Sequence, residues 1–574
     1  MVHIGSIIGA AVSQGKTITF GFDTSWTKFQ DFRNDGAKRD FVTYGAAAGI
    51  SGAFRAPIGG VLFTLEEGAS FWSTTITFRA FFCAMMTMLT VSFIFAGRNF
   101  GRNESSSIFS FGQFDSLVDG KTNYHTYEIF IFIIMGCAGG ALGALFNHIN
   151  LRMSEYRISH INSAKWKRVT ELLTFVFIMS CVSFLLPVMW RECTPMPTET
   201  SDWTTQERDL LDELEQFQCK DSEYNQLASL YFTPADTALR QLFHFREYDG
   251  SDFTTFDTGA LLLFFVPYFL LAALTSGTFA PTGLFVPCII AGAAFGRLCG
   301  HLLNDALPGY VADSGTYALI GAAALLGGMA RMTISGTVIM LEAAGNMVYL
   351  LPLMVTFGAA RYTGNAINEG LYDMQIDLQK LPFLPGHLRS LGLLSYFPVH
   401  EIMAQPVFSF NQLEKVGNIY RVLMTTGHNG FPVVGKDGHL VGLILRKTLC
   451  SLLKLKAYSV PQESSEQCAA DEAGCSQYRP GIILAPAATV FYDTLERNYP
   501  RYPNIADITL TPPEMVGGYD DDIIILMIVC RKELWMDLRP YMDTAPYNIN
   551  QSASVQRCYR YHSCLFSDFI LINS

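Results

Sequence analysis

The residues in this chain best able to handle an ion begin with Gly283-Leu284-Phe285-Val286-Pro287, inside the apolar stretch from Thr258 to Leu303. The preceding segment, Thr275-Ser276-Gly277-Thr278-Phe279-Ala280-Pro281-Thr282, is too rich in Gly, Pro and hydroxyls to continue a helix. A helix-compatible run, Cys288 to Gly296, follows. The pattern predicts a helix broken at membrane depth and restarted at Pro287, where proline suits the first turn. Broken backbone at that depth must be buried in protein or line a cavity. The free N–H groups and positive dipole end of a restarted helix suit an anion, so Gly283, Leu284 and Phe285 are candidate anion-binding residues. Glu66 and Glu67 close a second apolar run, Gly59 to Leu65. Such carboxylates either sit in water at the membrane interface or mark a pathway. Adjacent helical residues point about 100° apart, so only one of the pair should face the interior, where it could load and release protons. Tyr372 follows the last apolar span. It is either a hydroxyl donor near a helix start or an interfacial aromatic. Arg331 and Glu342 are further charges in apolar segments, read as structural partners rather than vestibule residues.

These residues need membrane helices to position them. The chain has 574 residues, of which 50% are hydrophobic and 16% charged, with mean hydropathy +0.24. That balance describes a polytopic membrane protein with soluble additions. Apolar segments lie near 42–65, 78–97, 127–149, 170–190, 258–303, 316–343 and 346–364, several long enough to cross a bilayer. Gly136, Gly139, Gly140 and Gly143 fit close helix packing in lipid. No cleavable leader is visible at Met1-Val-His-Ile-Gly5.

Loop charge sets the orientation. Residues 151–169 carry Arg152, Arg157, Lys165, Lys167 and Arg168 against Glu155 and should be cytoplasmic. The loops on either side then face the opposite compartment. One holds the sequon Asn103-Glu104-Ser105. The other, 191–257, is acidic and holds Cys193 and Cys219, which could pair in an oxidising lumen. The remaining cysteines have no metal-ligand spacing, and the net charge of −11 gives no sign of nucleic-acid binding. No nucleophile–base pair or phosphate-binding loop argues for an enzyme.

Beyond Pro382 the composition becomes that of a soluble cytoplasmic region that repeats itself. Met403, Asn411, Gln412, Val416, Tyr420 and Arg421 recur 139 residues on as Met542, Asn550, Gln551, Val555, Tyr559 and Arg560. The first copy predicts a β–α–β–β–α unit, with strands at Phe431–Val434 and Leu440–Ile444 and a helix from Arg446 to Leu455. The second copy stops before an equivalent strand–turn–strand. Residues 456–536 read as a linker with one hydrophobic patch, Ile523 to Val529, too short to span a membrane.

Together these motifs resemble the CLC family of chloride channels and chloride/proton exchangers over nearly all of the chain to about residue 455. Gly283-Leu-Phe-Val-Pro287 is similar to the family's Gly-x-Phe-x-Pro motif, which supplies backbone N–H groups to the central chloride. Tyr372 matches the tyrosine whose hydroxyl holds the same ion. Leu65-Glu-Glu-Gly-Ala-Ser-Phe-Trp72, and Lys38-Arg-Asp-Phe41 with Gly45-Ala-Ala-Ala-Gly49, resemble the endosomal and lysosomal branch. The resemblance gives Glu67 the internal proton-carrying position of the exchangers, where channels have an apolar residue. The tandem copies resemble CBS domains, which bind ATP or other adenine nucleotides in this family.

The resemblance implies an all-α polytopic membrane domain of inverted-repeat type over 1–381. It implies a first CBS domain with its lead-in at 382–455, the linker at 456–536, and a truncated second CBS domain at 537–574. Family members carry a Gly-Lys/Arg-Glu-Gly-Pro motif, whose glutamate is the external gate, directly before a segment like Met1-Val-His. Neither it nor the earlier Gly-Ser-Gly-Ile-Pro motif is present, so the expectation is a membrane domain lacking its first helices, from an incomplete gene model. The implied function is chloride exchange for protons by a homodimer in an endosomal, lysosomal or vacuolar membrane. By this reading the chain alone transports poorly. The alternatives are a passive, voltage-gated chloride channel and a non-transporting, nucleotide-sensing dimer partner. An accessory subunit is left open.

Overall fold

The computed structural model describes residues 1–15, 18–19, 22–23, 32–69, 72–96, 111, 124–162, 164–196, 205–220, 222–244, 255–307, 310–381, 397–403, 405–458, 490–491, 494–495, 498, 502–509, 534–558 and 571–573. The sequon at Asn103 and the patch Ile523–Val529 lie outside them. The chain forms two compact units. One comprises Met1–Ala10 and Asp40–Leu384, the other Ala11–Arg39 and Pro385–Ser574.

The first unit is helical. Its elements are α1 (Val2–Gln14, whose last turn belongs to the other unit), α2 (Asp35–Phe54), α3 (Pro57–Phe63), α4 (Thr74–Ala96), α5 (Glu128–Tyr156), α6 (Lys165–Met189), α7 (Thr205–Asp212), α8 (Gln226–Tyr231), α9 (Ala235–His244), α10 (Thr258–Thr275), α11 (Phe285–Ala306), α12 (Ser314–Ala330), α13 (Ile334–Ala344), α14 (Leu350–Ile367) and α15 (Leu371–Leu378). Among the described residues five helices are long and apolar enough to cross a membrane: Thr74–Ile94, Glu128–Ile161, Lys165–Met189, Thr258–Thr275 and Phe285–Ala306. Every residue of α12 is buried, as expected of a helix that is apolar all round and packed among others. Its partners approach through glycine. A Cβ on Gly143 of α5 would lie 2.2 Å from the carbonyl carbon of Gly328, and one on Gly296 of α11 would lie 2.1 Å from the Tyr317 oxygen. By contrast, α6 leaves Val169, Leu173, Val176, Phe177 and Phe184 exposed, the composition of a lipid-facing surface.

The apolar stretches predicted at 42–65, 258–303 and 316–343 each split in two. The breaks at Arg55 and Arg331 use non-glycine residues with positive φ, 53° and 65°. The break between α10 and α11 runs from Ser276 to Leu284, and α11 begins at Phe285, two residues before the predicted restart at Pro287. Proline is tolerated there because the first N–H groups of a helix have no intrahelical partner to lose. In the loop after α6, β3 (Cys193–Pro195) pairs antiparallel with β4 (Glu223–Asn225), and a disulfide joins Cys193 to Cys219.

The second unit carries the short antiparallel pair β1 (Ile18–Thr19) and β2 (Phe22–Asp23) as well as the α/β region. Here β5 (Phe410–Asn411), β6 (Leu413–Lys415), α16 (Val416–Thr425), β7 (Gly430–Val434), β8 (Leu440–Leu445) and α17 (Arg446–Lys454) realise the predicted unit, with β5 parallel to β7 and β7 antiparallel to β8. The segment read as a linker contributes to its core. Leu495, Ile505, Ile508 and Met536 pack there, and β9 (Trp535–Asp537) pairs antiparallel with β6. In the second copy β10 (Asn548–Asn550) lies parallel to β11 (Leu571–Asn573). The register Phe410↔Val433 reappears as Ile549↔Ile572, each partner 139 residues on, so this copy does form the counterpart of the β5–β7 pair.

Candidate functional site

The break before α11 is held from α5 and α6. Asn150 donates its amide to the carbonyls of Ala273 (3.2 Å) and Ser276 (3.0 Å), at the C-terminal end of α10. Arg157 donates to the Ser276 oxygen at 2.6 Å and to Leu274, and its Nε pairs with Glu171 at 2.6 Å. Arg157 was counted among the solvated loop charges. It is instead buried with its carboxylate partner and satisfies helix-end carbonyls that would otherwise lack donors. With that end fixed, the N–H groups of Gly283, Leu284, Phe285 and Val286 donate to no oxygen among the described residues, while Cys288 resumes the ladder by bonding Leu284 at 3.1 Å. Gly283 is exposed, and a Cβ there would meet nothing within 4 Å. The helix start is open for a ligand.

Aromatic rings connect this start to the other predicted residues. Phe285 packs against Phe54 (centroids 5.9 Å apart) and Phe63 (5.8 Å), and Phe63 stands edge-on to Tyr372 at 6.5 Å. Tyr372 occupies the first turn of α15, half-buried, and its hydroxyl makes no hydrogen bond among the described residues. Phe63 ends α3, which runs on as a π-helical turn over Thr64–Gly68 carrying Glu66 and Glu67. Glu67 follows Phe63 by four positions, so both lie on one side of that element. The Glu67 carboxylate has no hydrogen-bond partner among the described residues. The structure therefore brings Phe285 and Tyr372 to a common ring, Phe63, with Glu67 on the turn that continues from it.

Glu66 has a different task. It accepts from the N–H and hydroxyl of Thr333 (2.8 and 2.6 Å) and of Ser335 (2.9 and 2.6 Å), closing the N-terminus of α13, and Arg361 donates to it at 3.2 Å. Glu342, near the end of α13, accepts in return from the N–H groups of Ile58 (3.2 Å) and Gly59 (2.8 Å) at the start of α3. Each helix ends in the carboxylate that caps the other, which requires the two to run antiparallel. Both segments read Arg-x-x-Ile-x-Gly followed by Leu-Glu: Arg55, Ile58, Gly60, Leu65 and Glu66 against Arg331, Ile334, Gly336, Leu341 and Glu342. This pattern was the available signal for the reciprocal caps. The ring pair Phe54 and Phe63, and the anchors Asn150 and Arg157, had no comparable mark. No cluster of His, Cys, Asp and Glu able to hold a metal occurs among the described residues.

Broken helices, reciprocal caps and free helix-start amides define a multi-pass membrane protein of inverted-repeat type. The chain belongs to the voltage gated chloride channel family, whose model matches residues 1–365, and a CBS-domain model matches 399–455. It is 38% identical to the H(+)/Cl(-) exchange transporter 7 of Mus musculus over 98% of this chain and 64% of that protein. It is 37% identical to the human protein of that name over 98% of this chain and 63% of the relative, and 30% identical to chloride channel protein CLC-c of Arabidopsis thaliana over 97% and 66%. The chain thus spans a little under two thirds of the length of these relatives. A crystal structure of a eukaryotic CLC transporter shares the fold, with TM-score 0.56 and 18% identity, covering 100% of this chain and 73% of that one.

Proposed function

We propose that this chain forms one wall of the chloride site of a proton-coupled chloride antiporter, working as a homodimer in the membrane of an acidic organelle. The observation that carries the reading is the helix start at Gly283–Val286, whose amides have no partner among the described residues, joined through Phe285 and Phe63 to Tyr372, with Glu67 on the turn that continues from Phe63. Those amides, with the Tyr372 hydroxyl, replace water around chloride where the chain leaves the helix start open. Glu67, free of structural hydrogen bonds, takes up and releases protons, while Glu66 beside it is committed to α13. The disulfide Cys193–Cys219 fits a loop facing an oxidising lumen. Relatives named as exchange transporters support exchange, and the CBS region is the expected site of adenine-nucleotide control.

The test pairs binding with flux. Calorimetric titration of chloride into the purified chain should give a heat that Tyr372→Phe weakens. In liposomes holding the complete transporter, a chloride gradient should drive proton uptake, and Glu67→Ala should abolish proton movement while sparing chloride binding. Proton movement that survives Glu67→Ala would overturn the role given to Glu67. Relatives named as channels favour passive chloride conduction as the second reading, and strict absence of proton movement alongside robust chloride flux would establish it.

A further inference from the structure

Tyr372 lies just inside α15, and the turn leading to it, Asn368-Glu369-Gly370, has no side-chain cap of its own. It is gripped instead by a buried arginine. Arg331 is 5% exposed and ends α12 in the left-handed conformation. Its side chain occupies space that two glycines leave open: a Cβ on Gly364 would lie 1.2 Å from its Nη1, and one on Gly370 would lie 3.0 Å from its Cγ. Nη2 donates to the side-chain oxygen of Asn368 at 2.6 Å and to its carbonyl at 3.3 Å. Asn368 in turn donates to the Ala144 carbonyl of α5 at 2.8 Å, and Asn147 of α5 joins the Met329 carbonyl (3.0 Å) to that of Glu369 (3.3 Å). The last residues before α15 are thus tied to the interior of α5 and to the C-terminal end of α12.

A merely mechanical tie needs no charge, as neutral Asn147 demonstrates. Arg331 nonetheless keeps a buried guanidinium whose Nε and Nη1 have no hydrogen-bond partner and which forms no ion pair among the described residues. Such a group is costly to bury. Where it sits, directly behind Gly370, its charge also adds to the positive end of α15.

Resting on the chloride reading above, we propose that Arg331 is a positioning residue for the ion site: by holding Asn368 through the gap left by Gly364 and Gly370, it fixes the start of α15 and with it the Tyr372 hydroxyl. The test uses the whole chain with 3-fluorotyrosine incorporated only at Tyr372. Arg331→Met should shift or split the fluorine resonance and raise the chloride dissociation constant about tenfold, the scale of one lost charge-assisted contact. Arg331→Lys keeps the charge but cannot bridge both oxygens of Asn368, so it should recover part of the affinity while the resonance stays displaced. If Arg331→Met does not fold, the lysine variant alone decides. An unmoved resonance and wild-type chloride affinity, with only a lowered unfolding temperature, would overturn the proposal. Should the unmodified chain bind no chloride, the proposed function fails, while the resonance still reports on positioning.

Discussion

The segments ending at Glu66 and Glu342 are built alike and put to different use. Both leave a positive-φ arginine, run through Ile-x-Gly, and finish in a carboxylate that caps the other's first turn. After Glu342 the chain turns away at once, through Ala343 and Ala344 to a left-handed Gly345. After Glu66 it continues as a π-helical turn, adds Glu67, and recruits Arg361. The capping carboxylate is therefore a structural device present twice. The proposed proton chemistry falls to the residue that follows it in one copy only, on the element that carries Phe63. A π-helical turn is a recurrent way of re-aiming side chains at functional sites.

Substitutions can break this comparison or sharpen it. Glu66→Ala should have the largest effect on stability, about 2–4 kcal/mol, because it strands two N–H groups, two hydroxyls and Arg361. Glu342→Ala removes only two backbone contacts and should cost about 1–2 kcal/mol, as loss of a helix cap does. Thermal unfolding in one detergent measures both, and equal losses would mean that Arg361 and the hydroxyls contribute nothing. Glu67→Gln should change stability by less than about 0.5 kcal/mol, since it breaks no structural contact, yet remove proton movement. Ala343→Glu should do least of all. It gives the second segment the same Glu-Glu pair without the rings beside it, so both proton movement and chloride binding should stay at the parent level. A gain of proton movement in that variant would show that adjacency to the cap is enough.

Much of this arrangement was legible in the sequence, for reasons that are local. Apolar length, Gly and Pro content and hydroxyl clustering marked the break before α11, because backbone geometry is decided within a few residues. The exact restart was missed by two residues, because proline fits anywhere in the first turn. The 139-residue repeat announced matching strand registers, and Ile549↔Ile572 reproduces Phe410↔Val433. What the sequence left open depended on partners far away along the chain. Which of Glu66 and Glu67 is structural turns on Thr333 and Ser335, some 267 residues distant. Arg157 looked like an ordinary loop cation until Ser276 and Glu171 closed around it. The stretch read as a linker likewise looked uncommitted until Met536 and Ile505 entered the second unit's core.

The sequence by itself determined that this is a multi-pass membrane protein with a broken helix at Gly283–Pro287, a CBS region, and residues of the voltage gated chloride channel family in order. Hydropathy, helix-breaking residues and motif spacing are properties of adjacent positions, and they need no folded partner to be read. Only the tertiary structure decided which carboxylate caps a helix, and that Arg331 holds Asn368 in the turn before Tyr372. Hydrogen bonds between residues hundreds of positions apart exist only once the helices have packed, and among the described residues they fall on Glu66 and not on Glu67, which marks Glu66 as the structural group of the pair.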